Sequence, residues 1–137
     1  MSLPTPPAQY FRKAAASSPQ QACVMVYRDN HRTIIWDDKL AGPVDTATQP
    51  VPLDECLTLD HHQFEALQAA IRAGRPIRGA LVVDRRFDGL YEFSAAPECR
   101  ASAGTARLFF DRLEYTAFVH AVRHREFERS TFLSPAA

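Results

Sequence analysis

The chain predicts an α+β fold in which two tandem β-hairpin–loop–strand–helix units pack as an intramolecular pseudo-dimer. Three observations lead there. First, the segment Cys56–Arg72 recurs at an offset of 51 residues as Arg107–Arg123, aligning Leu57 with Leu108, Asp60 with Asp111, Ala66 with Ala117, Ala70 with Ala121 and Arg72 with Arg123. Second, Asp60 and Asp111 are each followed three positions later by Gln63 or Glu114, the signature of a helix-opening capping box. Third, upstream of each lie two short apolar segments separated by a polar turn, as in a β-hairpin.

In chain order, Cys23–Tyr27 and Thr33–Trp36 read as the first hairpin, turning through Arg28–Arg32. The loop Leu40–Glu55, with Pro43, Pro50 and Pro52, has no periodic pattern and leads into the strand Leu57–Leu59. From Asp60, the stripe Phe64, Leu67 and Ile71 has helical spacing, and Gly74 and Pro76 end that helix. After a linker at 75–79, the second unit repeats the plan. Ala80–Val83 and Gly89–Phe93 flank the turn Asp84–Asp88, and a second patternless loop spans Ser94–Thr105. A strand at Leu108–Phe110 then runs into a helix from Asp111, with Tyr115, Phe118, Val119 and Val122 on one face, expected to reach about Glu128. The units are thus 10–74 and 80–129, with a loosely held arm at 1–9 and tail at 130–137. A unit of about 50 residues has a thin core, so each is expected to bury its apolar face against the other.

With 46% hydrophobic and 23% charged residues, the 137-residue chain is neither disordered nor a disulfide miniprotein. Sixteen basic residues balance sixteen acidic ones, which disfavours direct nucleic-acid binding, since phosphate recognition normally demands a basic excess. The charge is unevenly spread: −3 over residues 1–70 and +3 over 71–137, which suits docking between halves or between molecules. No basic-then-apolar leader opens the sequence, and no apolar run approaches the roughly 18–20 residues that span a membrane. Cys23, Cys56 and Cys99 are odd in number and widely spaced, matching free thiols in a reducing, cytoplasmic setting.

Tyr10-Phe11-Arg12-Lys13, Ser17-Ser18, Cys23-Val24-Met25-Val26, Ile35-Trp36-Asp37-Asp38-Lys39, Leu57–Gly74 and Leu108–Phe127 form a further set of stretches. Together they resemble the BldB-like family of small actinobacterial proteins. The resemblance covers most of the chain as two tandem copies, with Phe64 and Tyr115 where that family has a helix tryptophan. It implies a small non-enzymatic protein tied to developmental regulation, which self-associates or partners a helix-turn-helix transcription regulator, and it brings no catalytic residues.

No constellation of residues forms a catalytic or metal-ligating motif. His120 and His124 have the i, i+4 spacing of a ligand pair but fall opposite the apolar stripe, and His61 and His62 occupy an ordinary first helical turn beside Cys56. Cys23 and Cys56 sit in apolar strand contexts that favour inert thiols, and Asp37 and Asp38, adjacent on or beyond a strand, do not converge. Arg72, Arg75 and Arg78 cluster in the linker; Arg123, Arg125 and Arg129 cluster at the end of the second helix, where the helix dipole favours cations. Trp36, the only tryptophan, reads as a half-buried strand residue able to anchor an interface. The reading is a regulatory protein-interaction module without cofactor or metal. Its partner-binding residues are Trp36, Asp37, Asp38, Arg123, Arg125 and Arg129, with the Leu40–Glu55 loop as a contact segment. Two alternatives are an immunity- or antitoxin-type inhibitor, and a small ligand-binding protein with a pocket between the repeats.

Overall fold

A computed structural model of the chain describes residues 5–14, 23–40 and 49–133. Among these residues are two three-stranded antiparallel sheets and four helices. The first sheet comprises β1 (Val24–Arg28), β2 (Thr33–Asp37) and β3 (Leu57–Leu59), and the second β4 (Leu81–Arg85), β5 (Tyr91–Ala95) and β6 (Leu108–Phe110). The helices are α1 (His61–Ala73), α2 (Arg100–Ala103), α3 (Arg112–Arg123) and α4 (Arg129–Leu133).

The sheets share one pattern of register. Val24 faces Asp37 and Arg28 faces Thr33 in the first; Leu81 faces Ala95 and Arg85 faces Tyr91 in the second. Ile35 faces Leu57 as Phe93 faces Leu108. Both expected capping boxes are present with reciprocal bonds: the Gln63 amide donates to Asp60 Oδ1 at 2.8 Å, and the Glu114 amide to Asp111 Oδ1 at 2.8 Å.

Strand alternation sorts the side chains. Val24, Val26, Ile35, Leu57 and Leu59 point into one core together with Leu81, Phe93, Leu108 and Phe110 of the second sheet, and with Phe64, Leu67 and Ile71 of α1 and Phe118 and Val122 of α3. Residues from both halves therefore share a single hydrophobic core. On the other face of the first sheet, Met25, Ile34, Trp36 and Cys56 form a second cluster, closed by Phe11 and Val51. Among the described residues no such cluster covers the second sheet. Its outer face carries Glu92 clamped between Arg86 (3.3 Å) and Arg107 (2.8 Å), with the Arg86 guanidinium over the Phe109 ring.

Strand ends shift by one or two residues, with Asp84 and Arg85 in β4 rather than in the turn, and four further features differ from the sequence reading. Helix α3 ends at Arg123 rather than near Glu128. Arg125 adopts the left-handed conformation (φ 59°), and the Arg125 and Glu126 amides bond back to Val122 and Ala121 carbonyls. Gly74 (φ 70°) closes α1 with the same pair of bonds, through the Gly74 and Arg75 amides to Ile71 and Ala70. Gly74 and Arg125 are 51 residues apart, so both copies stop at one repeat position, and an arginine stands where glycine would signal the end. Second, the loop after β5 contains α2 and the 3₁₀ turn Pro97–Cys99. Third, Arg28 belongs to β1 and is buried, not in an exposed turn. Fourth, the ends are tied down within the described residues. The Val51 amide donates to the Pro6 carbonyl, Arg12 and Val26 exchange backbone bonds, and the Arg12 guanidinium lies 4.5 Å from the centre of the Phe132 ring in α4.

Candidate functional site

The six residues expected to bind a partner fall into two separate places. Trp36 is 3% exposed, not half-buried: its ring packs against Phe11 and its indole N–H donates to Glu55 Oε1 at 3.1 Å. Burial on both faces of β2 removes it from any surface. Asp37, 4% exposed, accepts from the Lys39 amide at 2.9 Å, and Asp38 pairs with Lys13 at 2.6 Å. Arg123, Arg125 and Arg129 are exposed at the far end of α3 and the start of α4; Arg125 pairs with Glu128 at 3.0 Å. Glu114, beside the Asp37 group, and Arg123 are nine helical residues apart, or about 13 Å along the axis. The acidic and basic groups therefore do not form one patch. The Leu40–Glu55 segment lies partly outside the described residues, and its end forms a 3₁₀ turn at Leu53–Glu55.

Asp37 belongs to a different arrangement. The Lys39 ammonium donates to Glu114 Oε2 at 3.0 Å and to the Phe109 carbonyl at 3.2 Å, and lies 3.2 Å from Asp37 Oδ1 and 4.6 Å from the centre of the Phe110 ring. Glu114 is 5% exposed and is also bonded by the Cys23 thiol. Burial pushes the Cys23 thiol up to about 12, helped by the Glu114 charge; burial likewise takes Cys56 to about 12. Thiols this weakly acidic are poor nucleophiles. The cluster thus reads as a polar rivet between β2 and α3.

A buried cation lies at the end of β1. Arg28, 2% exposed, donates to Thr33 Oγ1, to Glu65 Oε2 at 2.9 Å and to the Phe127 carbonyl at 3.0 Å, and stacks over the Phe64 ring. It holds the segment after α3 against α1. His120 and His124 are exposed neighbours with ring centres 4.1 Å apart; among the described residues no three metal-ligating side chains cluster.

Two further features bear on function, and the first of them escaped the sequence reading. Phe87, in the turn joining β4 and β5, is fully exposed (102%) between the exposed Arg85 and Asp88. Leaving a phenyl ring in water forgoes about 1.5–3 kcal/mol of burial. A phenylalanine inside a run of charged turn residues was the available signal. The other is an apolar cleft of about 240 Å³ between α1 and the start of β4, lined by Ala66, Leu67, Ala70, Ile77, Ala80 and Leu81, with His62, Gln63 and Arg78 completing its wall.

The fold is that of an α+β protein with two three-stranded antiparallel sheets among the described residues, in which no helix is long and apolar enough to cross a membrane. In comparisons with known proteins, no family model, no curated protein and no solved structure matches the chain.

Proposed function

We propose that this protein is a non-enzymatic regulatory interaction module, two tandem units packed as an intramolecular pseudo-dimer, that grips a partner protein through the β4–β5 hairpin. Support for the pseudo-dimer comes from the matched strand registers, the paired capping boxes, the equivalent helix ends and the shared core. Support for a binding rather than chemical role comes from the thiols, pushed to about 12, and from Asp37 and Glu114, which are committed to Lys39.

The observation that carries the reading is Phe87. An aromatic ring held out on a hairpin, with Arg86 tied to Asp88 and Glu92 beneath it, is a preorganised anchor of the kind that dominates binding energy at interfaces. The exposed Arg85 beside it suits a partner whose apolar pocket has an acidic rim. The resemblance to BldB-like proteins adds the expectation that the partner is a helix-turn-helix regulator or a second copy of the chain, in the cytoplasm. The hairpin, and not Trp36, is the place to test this.

The test is affinity capture from lysate of the source organism with wild-type protein and with Phe87→Ala. One near-stoichiometric protein retained by the wild type and lost by the variant, with equal melting temperatures, is the expected result. The same captured set from both overturns the assignment.

A further inference from the structure

We propose that the cleft between α1 and β4 is a binding site for a small carboxylic acid with an aromatic or branched hydrocarbon body. The site is independent of the hairpin anchor. An apolar cavity of roughly 150 Å³ suffices to hold benzene, so about 240 Å³ accommodates a ring or branched chain with a short arm. The walls are mainly alanine, leucine and isoleucine, and among the described residues no carboxylate lines the cleft. Among the described residues the only formal charge in the wall is Arg78, and His62 also lines it. Arg78 pairs with Asp84 at 2.6 Å in the open, with side chains 59% and 50% exposed. An exposed pair of that kind is held weakly and leaves the guanidinium free to turn to an incoming carboxylate.

The repeat explains why space is left here. By strand register Ala80 stands where the first unit has Cys23, and Ala95 where it has Asp37; by the helix offset, Gln63 stands where α3 has Glu114. The equivalent junction at the other side of the molecule is filled by the Cys23, Asp37, Lys39 and Glu114 cluster. Ala80 and Gln63 line the cleft, so a methyl group and a neutral amide stand where the other junction has the Cys23 thiol and the Glu114 carboxylate. At Gly79, in its wall, an added Cβ would meet no atom within 4 Å, so the mouth is unobstructed. The two junctions have matching strand registers and helix caps and opposite contents: one is closed by its own ions, and the other is apolar with a cation at the edge. A ligand that supplies both hydrocarbon and anion completes it.

The experiment is titration calorimetry of the full chain with benzoate, 3-phenylpropanoate and 4-methylpentanoate, each beside its neutral primary amide. At least one acid is expected to bind, with its amide about tenfold weaker or more. Arg78→Gln should weaken that acid about fivefold or more and leave the amide unchanged, separating a charge contact from a packing one. Ala70→Phe, which fills the cleft, should abolish both; if that variant melts early, Ala66→Leu at an exposed position takes its place. Four results overturn the proposal. They are no binding of any acid at millimolar concentration, acid and amide binding equally, binding that survives the filled cleft, or binding seen only after Phe87→Ala. The last would make the hairpin tip of a second copy the occupant.

Discussion

The ammonium of Lys39, just beyond β2, sits 3.0 Å from Oε2 of Glu114 in the first turn of α3, and so ties the end of the first hairpin to the helix of the second half. Glu114 serves twice, since its Oε1 also accepts the Asp111 amide at 2.7 Å to complete the capping box. One carboxylate therefore both starts a helix and fixes where that helix docks.

Removing the cation isolates two buried carboxylates. Lys39→Met should destabilise the protein by about 1–3 kcal/mol, below the full cost of breaking a buried pair because Lys39 is itself 44% exposed. Urea denaturation checks this: the midpoint should fall at unchanged slope. A midpoint within error of wild type would show that the cluster contributes nothing net.

The same cluster has opposing pH dependences. Burial pulls the Glu114 carboxyl up, but hydrogen bonds from Cys23, the Asp111 amide and Lys39 outweigh it and hold the group below the usual carboxylate range. Its contribution is therefore present above the unfolded value of about 4.3 and lost as pH falls through the lower native value. Asp37 goes the other way. Burial pushes its carboxyl up, aided by Glu114, more than the bonds from Lys39 pull it down, so ionising it costs stability as pH rises through the native value. Glu114→Gln should accordingly lose less stability on acidification than wild type does, and Asp37→Asn should gain relative to wild type between about pH 3 and pH 7. Melting temperatures across that range, read as slopes, distinguish the two.

Trp36→Ala should cost about 3–5 kcal/mol, as for other large-to-small changes in a closed core. Loss of partner capture in that variant would report unfolding, whereas Phe87→Ala should stay within about 0.5 kcal/mol of wild type because its ring touches only water. Parallel denaturation curves for the two variants test the contrast.

Arg125→Gly should be neutral or stabilising by up to about 1 kcal/mol. Glycine removes the left-handed penalty at φ 59°, and the exposed bond to Glu128 that is lost is worth less. A clear fall in midpoint would show that the side chain holds the turn.

Much of this fold is written locally. Asp60 with Gln63 and Asp111 with Glu114 announce two helices, and the offset of Leu57 and Leu108 announces the repeat, because caps and strand alternation depend on neighbours only a few residues away. What stayed hidden depends on distant partners. Arg28 looks like a turn residue until Phe127 and Glu65 surround it; Trp36 looks half-exposed until Phe11 covers it. The end of α3 was obscured because Arg125 adopts by tertiary fit what Gly74 adopts by freedom. Among the candidate site residues, identity was legible but placement was not. Phe87 stands out only once the turn around it is known to project.

The bonds that close the molecule also set how it folds. Lys39 to Glu114 spans 75 residues, Arg28 to Phe127 spans 99, and Arg12 to Thr131 spans 119. Hairpins and helices can flicker into existence early, but these cations find their partners only when distant parts of the chain meet. Such long-range closures carry a loop-entropy cost before any reward arrives. The expected kinetics are those of a slow, high-contact-order folder, in milliseconds to seconds, whose first half waits on the second.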